Sequence, residues 1–387
     1  MTVPKLRFKE FDGGWTKSTI QFFMDNNFIL DQMDGNHGEL YPKSEEFSAT
    51  GVPYISATDF SFGDVNFATC KRLPIERAKL FKKGIAKNGD VLFAHNATVG
   101  PVAILKTDLD FVILSTTATY YRCEATYLNN HYLKNYFESD FFVQQYFGIM
   151  SQSTRNQVPI TTQRKLNIAV PNIQEQTKIA SFLSAVDEKI SQLTQKHELL
   201  SQYKQGMMQK LFSQQLRFKA DDGSEFREWE EKELKDIAEI NPKSKKLPES
   251  FIYIDLESVE KGQLLLQKNI ELQDAPSRAQ RLLAKGDVLF QMVRPYQQNN
   301  YYFNLSGEYV ASTGYAQIRT KLDSKFIYYA LHEKTFLDEV MNRCTGTSYP
   351  AINSSDLSSI EILIPCLEEQ TKIANFLSAI DQKIEVV

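Results

Sequence analysis

The chain has 387 residues, 42% hydrophobic and 24% charged, with a formal net charge of −4. That length suits two or more domains with ordinary cores. It contains no apolar run long enough for a membrane-spanning helix, and its slight acidity is not the basic signature usual in a nucleic-acid binder. The four cysteines, Cys70, Cys123, Cys344 and Cys366, are scattered, and none of the five histidines lies at ligand spacing from them. Free thiols and no metal site are therefore expected. The opening MTVPKLRFKE has no apolar core of a secretory signal, so a cytoplasmic location is the expectation.

In chain order, the first landmark is LRFKEFDGGW at 6–15. PYISATDF (53–60), NGDVLF (88–93) and ILSTTA (113–118) follow, with the strand-like NGDVLF punctuated by Gly, Asn and Asp. Residues 129–147, NNHYLKNYFESDFFVQQYF, have helical spacing. The polar SQSTRNQ (151–157) leads to a proline-bounded strand, LNIAVP, at 166–171. A helix capped by Asn172 is expected from about Gln174 to Phe212, roughly 58 Å long at about 1.5 Å per residue.

The landmarks then return in the same order. LRFKADDGSEFREW (216–229) is followed by IYIDLESV (252–259), KGDVLF (285–290), YVASTGYA (309–316), the helical SKFIYYALHEKTFLDEVM (324–341) and IEILIP (360–365). EQTKIANFLSAIDQKI (369–384) repeats EQTKIASFLSAVDEKI (175–190) at thirteen of sixteen positions, 194 residues further on. The only two tryptophans, Trp15 and Trp229, hold the same place in the two copies. The chain is thus a tandem duplication, and repeats of this kind fix architecture. Between the landmarks the copies diverge: HNATVGPVAIL follows the first GDVLF and QMVRPYQQNNYYF the second. One scaffold is expected to carry two different surfaces. Each half reads as an α+β body, strand-rich with one or two helices.

The long helix has a coiled-coil seam. Ile179, Val186, Leu193, Leu200 and Met207 occupy one heptad position, and Leu183, Ile190, His197, Lys204 and Leu211 the other. His197 and Lys204 are polar insertions suited to fixing register. Ile373, Leu377, Ile380 and Ile384 continue the pattern in the second copy. Two halves related by a pseudo-two-fold place the helices antiparallel. The first helix pattern is longer than the second. The distal positions Leu200, Met207 and Leu211 are therefore expected to be covered by the second body, another subunit or a second copy, and the chain alone to be aggregation-prone.

Catalytic signatures are absent. There is no GxGxxG, GxxxxGK[ST], GxSxG or HExxH, and no Asn/Asp-Pro-Pro-aromatic tetrapeptide of an amino-methyltransferase. The tyrosine pairs Tyr120–Tyr121 and Tyr301–Tyr302 read as core or rim rather than a stacking platform.

These residues carry a resemblance. The motif P-x-x-x-E-Q-x-K-I-A-x-F-L-S-x-x-D-x-K-I stands at 171–190 and again at 365–384, and the first copy continues as KQGMMQKLF (204–212). With the GDVLF strands, Arg294–Pro295–Tyr296 and the Gly346–Thr347–Ser348 turn, the whole chain resembles the specificity subunit of a type I restriction–modification enzyme. The resemblance implies target-recognition domains at 1–171 and 215–365, with spacer helices at 172–214 and, shorter, at 366–387. It implies no catalysis by the chain itself. Each domain would read one half of a bipartite double-stranded DNA target. The antiparallel coiled coil would measure the gap and dock two methylase subunits, and restriction subunits would join that core. S-adenosylmethionine, ATP and Mg would belong to those partners, with no cofactor or membrane for this chain.

Base edges are read by side chains in loops, Arg pairing with guanine and Asn or Gln with adenine. The first-half candidates are His95, Asn96 and Thr98, with Thr154, Arg155, Asn156 and Gln157. In the second half they are Arg294, Tyr296, Gln297 and Gln298, with Thr347, Ser348 and Tyr349. Two other readings stand beside this one. A protein-binding coiled-coil adaptor without DNA recognition would show no sequence preference in a mobility shift with methylase present. A stand-alone methylase–nuclease would transfer methyl groups unaided.

Overall fold

The computed structural model describes residues 4–35, 38–150, 156–243 and 246–387. The chain divides into two compact units, Met1–Ser191 and Gln192–Val387, and the division falls inside one 40-residue helix, Ile173–Phe212.

In the first unit, a four-stranded sheet has the order Ile29–Asp34, Ala118–Cys123, Val91–Asn96, Thr98–Ile104, all antiparallel. A second has the order Lys71–Leu73, Val52–Ile55, Val112–Leu114, Ile85–Ala86, with a parallel pairing between Val52–Ile55 and Val112–Leu114. Thr16–Thr19 pairs with Asn167–Val170. The second unit repeats this plan. One sheet runs Ala238–Ile240, Tyr315–Thr320, Val288–Gln291, Tyr301–Tyr302, and the other Lys268–Glu271, Ser250–Ile254, Tyr309–Ser312, Ala279–Leu282, again with one parallel pair. Glu230–Glu233 pairs with Glu361–Ile364. The α+β expectation and the duplication are both seen here.

The shared landmarks are the residues that hold this plan together. In GDVLF, Gly89 and Gly286 take φ of +86° and +92°, a region open to glycine at little cost. The next residue is a buried aspartate that closes the turn. Asp90 accepts from Lys87 N–H at 2.8 Å and from Arg122 at 2.7 Å; Asp287 accepts from Ala284 N–H at 2.7 Å and from Arg319 at 2.7 Å. Burial pushes the Asp90 carboxyl up, and the Arg122 guanidinium opposes that shift. The EQ pair of the repeated helix has equivalent work in each unit. Buried Glu175 accepts from Arg7 Nε at 2.6 Å and Trp15 Nε1 at 3.2 Å; buried Glu369 accepts from Arg217 Nε at 3.1 Å and Trp229 Nε1 at 3.1 Å. Gln176 donates to Pro171 O and accepts from Asn129 N–H, as Gln370 does with Pro365 O and Asp323 N–H. Each helix start is thereby tied to the opening and to the middle of its own unit.

Two helical readings need correction. The stretch 129–147 breaks into Asn130–Glu138 and Asp140–Met150, and 324–341 into Ser324–Ala330 and Lys334–Asn342. Ser139 leaves the helix with ψ 148°, its hydroxyl donating to Tyr136 O, and its carbonyl starts the next helix. In the second unit the Glu333 carboxylate caps a new start by accepting from Thr335 and Phe336 N–H. Asn172 caps the long helix as expected, accepting from Glu175 N–H at 2.9 Å. Tyr120 and Tyr121 are core residues, while Tyr301 and Tyr302 are half-buried.

Candidate nucleic-acid interface

In both units the divergent loop lies at the end of a GDVLF strand and is held from behind by the same device. An isolated antiparallel bridge joins Asn96 to Gln157 in the first unit and Val293 to Ala351 in the second.

In the first unit the strand Val91–Asn96 turns at Ala97, φ +66°, into Thr98–Ile104. Ala97 N–H donates to Asn156 O at 3.1 Å. The two candidate loops thus meet: Asn96, Thr98, Asn156 and Gln157 share one rim, with Thr98 and Asn156 exposed and the other two half-buried. Thr154 and Arg155 lie outside the described residues. His95 is not on that rim. Its side chain is buried, with Nδ1 2.9 Å from Thr119 Oγ1. Gln163 donates to Thr119 Oγ1 at 3.1 Å and accepts from Tyr121 OH at 2.6 Å and Gln32 Nε2 at 3.1 Å. This buried network supports the rim from below. Its inward position comes from strand alternation, which faces neighbouring side chains to opposite sides.

In the second unit Arg294 adopts left-handed φ 54°, ψ 54°, ahead of the single turn Pro295–Gln297, and Gln298 is left-handed as well. A non-glycine residue there costs of order 1–3 kcal/mol and persists when its surroundings impose it. Arg294 N–H donates to Pro350 O at 2.8 Å, while Thr345 and Ala351 exchange two hydrogen bonds of 2.9 and 3.0 Å. The Arg294 guanidinium lies 4.3 Å from the Tyr349 ring centroid. Gln291 donates to Gln297 Oε1 at 2.9 Å and accepts from Asn299 N–H at 3.0 Å. Arg294, Gln297 and Tyr349 line a cavity of about 720 Å³ with Gln291, Lys261 and Asn299. Tyr296, Thr347 and Ser348 are exposed around it, and Gln298 donates to His332 O at 3.4 Å.

Chemically, a guanidinium stacked on an aromatic face is a pre-set fork of donors suited to two acceptors on one edge, as on guanine. Glu257 and Glu260 also line the cavity, offsetting Lys261 and Arg294. The balance of charge suits reading of base edges better than capture of phosphate. The candidates drawn from the sequence omitted Gln291, Lys261 and Asn299. Lys261 is at φ +49° before Gly262, and Phe62 is at φ +48° before Gly63, so matching X-Gly turns were the available signal.

The helix candidates divide by unit. Ile373, Leu377 and Ile380 are buried in one cluster with Leu211, with Ile384 packed against it. Lys204 pairs with Asp381 at 2.6 Å and lies 5.3 Å from the Tyr329 ring centroid. Leu211 is therefore covered within its own unit, by the second repeated helix as well as by the second body, so the expectation that it would lack the second helix's surface is corrected, while Leu200 and Met207 lie outside that cluster. Ile179 packs on the first unit's core. Leu183, Leu193, Leu200 and Met207 are half-buried, whereas Val186, Ile190 and His197 are exposed.

A family model described as the type I restriction modification DNA specificity domain matches residues 31–202 and 227–387. A putative type I restriction enzyme MjaX specificity subunit of Methanocaldococcus jannaschii is 29% identical over 317 residues, covering 77% of this chain and 73% of that one. The MjaVIII specificity subunit of the same organism is 28% identical over 240 residues, covering 57% and 56%. The crystal structure of a type I restriction–modification S subunit from M. genitalium shares the fold, with TM-score 0.60 and 17% identity over 100% of this chain and 93% of that one. A chain from a structural study of type I restriction–modification complex assembly aligns with TM-score 0.53 and 19% identity over 97% and 92%.

Proposed function

Because this chain belongs to the type I restriction–modification DNA specificity family, we propose that it is the non-catalytic DNA sequence-specificity subunit of such a system, each unit reading one half of a bipartite target. The observation that carries this is the shared bridge behind two unlike loops. A common scaffold presents Asn96, Thr98, Asn156 and Gln157 from one unit and Arg294, Gln297 and Tyr349 from the other. In this reading the loop side chains discriminate bases and the scaffold fixes their register.

The two repeated helices form an antiparallel coiled coil that sets half-site spacing, a geometric property of a rigid spacer. The Lys204–Asp381 pair and the burial of Leu211 with Ile373 and Leu377 support that pairing. The helices dock two methylase subunits, which bring S-adenosylmethionine, and ATP- and Mg-dependent restriction subunits complete the assembly. The protein acts in the cytoplasm, where the DNA is.

The test is a domain exchange. Residues 1–171 are replaced by those of a relative, the chain is expressed with its methylase, and the methylated motif is sequenced across the host genome. One half of the motif changes and the other stays. A change in both halves, or in neither, overturns the modular reading.

A further inference from the structure

Gln291 ends the strand Val288–Gln291 and is only 2% exposed. Its counterpart in the first unit, 197 residues earlier, is Ala94, which has no polar side-chain atom. A buried amide needs partners for both its oxygen and its nitrogen. The backbone supplies them here. Gln291 Oε1 accepts from Asn299 N–H at 3.0 Å, and Gln291 Nε2 donates to Val293 O at 2.8 Å. A backbone N–H only donates and a backbone carbonyl only accepts, so the Gln291 amide has one orientation. Its second N–H therefore meets an acceptor, Gln297 Oε1, at 2.9 Å.

The support behind Gln291 is directed in the same way. Gln291 N–H donates to Asn300 Oδ1 at 2.8 Å, which turns Asn300 Nδ2 toward His332 Nε2 at 3.4 Å. His332 Nδ1 lies 2.7 Å from Tyr328 O and must donate to it. Burial favours the neutral imidazole, so His332 Nε2 is the acceptor for Asn300. Asn299 Oδ1 accepts from Lys261 N–H at 3.0 Å and ties the facing turn of the cavity to the same network. Gln297, by contrast, is an exposed residue of the cavity rim, beside Arg294. With its oxygen held toward the buried support, its nitrogen and two N–H donors are the end turned outward.

We propose that Gln291 is a positioning residue for base reading, which fixes Gln297 as a hydrogen-bond donor that takes the keto oxygen of a base pair, guanine O6 or thymine O4, and not its amino group. Every pair shows one of each in the major groove, since guanine O6 faces cytosine N4 and thymine O4 faces adenine N6. A glutamine with both ends of its amide available pairs bidentately with adenine. Holding Oε1 on Gln291 closes that option and leaves donation. Arg294 also only donates, so the two neighbours offer one kind of group. The proposal rests on the DNA-reading role given above and names the base chemistry of that site.

The test uses the chain in complex with its methylase. Sequencing of the methylated motif in an expressing host gives the target, and Gln297→Ala marks the position that relaxes in the second half-site. Competition binding then uses duplexes in which that pair lacks either its keto oxygen or its amino group. Loss of the keto oxygen is expected to weaken the parent complex about fivefold, and loss of the amino group to leave it unchanged. Gln297→Glu keeps one oxygen on Gln291 and turns the other outward, so the sensitivity passes to the amino group. Gln291→Met abolishes the sensitivity to the keto oxygen without touching DNA, and adds nothing to Gln297→Ala. Sensitivity of the parent to the amino group, or to neither group, overturns the proposal. A Gln291→Met chain that binds more weakly yet keeps its full sensitivity to the keto oxygen also overturns it, because Gln291 is then only structural. If Gln291→Met does not fold, the exposed Gln297→Glu decides: no inversion overturns the proposal. A parent complex without sequence-specific methylation overturns both this proposal and the functional reading, whereas a wrong atom at a well-defined motif overturns this one alone.

Discussion

The two units share their supports and differ in what those supports hold. Glu175 and Glu369 each fasten an Arg and a Trp, Asp90 and Asp287 each close a turn and bind an Arg, and the sheets repeat strand for strand. The rims diverge. The first is a tight hairpin tip of small polar groups, and the second is a looped turn holding a guanidinium against a ring. The lesson concerns division of labour. Buried charge and left-handed glycines are costly to vary, whereas rim side chains can change without disturbing the core.

The largest effect expected is on the shared locks. Glu175→Ala and Glu369→Ala each remove a fully buried carboxylate from its Arg and Trp, at a cost of about 3–5 kcal/mol to its own unit. Urea unfolding of each variant measures this. A large loss in one unit and none in the other would break the equivalence of the two supports.

Next comes the contrast between covered and uncovered helix. Leu211→Ala opens a cavity in the second unit's core and costs about 2–5 kcal/mol. Ile190→Ala, on an exposed face, stays within about 0.5 kcal/mol. Similar shifts in the two denaturation midpoints would show that Ile190 is buried in solution.

The rims are separated by Arg294→Ala. The expected loss is about 1–3 kcal/mol of discrimination at one position of the second half-site, with the first half-site unchanged. Competition binding against single-base variants of the target measures it. A uniform loss across sequences would reassign Arg294 to phosphate.

The last effect is one of pH. Burial pushes the His332 imidazole down to about 4, from an ordinary 6.5, and Lys204 adds to the shift. Its ring lies edge-on to Tyr328 at 4.5 Å, and its backbone carbonyl holds Gln298 at the rim. Between pH 6.5 and 4 the unfolded chain binds the extra proton and the folded one does not. The stability of the second unit therefore falls as pH drops through that window and is unaffected above it. His332→Gln flattens the dependence, read from unfolding midpoints at pH 7 and pH 5. An unchanged slope would show that His332 does not carry it.

Much of this was legible in the primary structure because repetition made it so. The thirteen identities between 175–190 and 369–384, the paired tryptophans and the two GDVLF strands fixed a duplicated α+β scaffold. The cap at Asn172 follows from residue type and position, whereas the meeting of the loops around Asn96 and Gln157 is a contact only the fold supplies. The breaks at Ser139 and before Lys334 were hidden, because apolar periodicity runs through both and a single capping side chain ends a helix locally.

Tertiary structure decided what periodicity could not distinguish. The seam read as one continuous stripe, yet Leu211 is buried while Ile190 is exposed, since burial depends on which chain segment lies opposite. His95 belonged to a polar loop by sequence and to a buried Thr119–Gln163 network by fold, because strand pairing turns its side chain inward. Arg294 was a loop arginine by sequence. The Pro350 carbonyl and the Tyr349 ring, some fifty-five residues away along the chain, set its left-handed backbone and stacked guanidinium. The sequence determined the scaffold, since local turn chemistry and buried pairs recur at fixed spacing. Only the fold decided which faces remain open, because exposure is a property of neighbours distant along the chain.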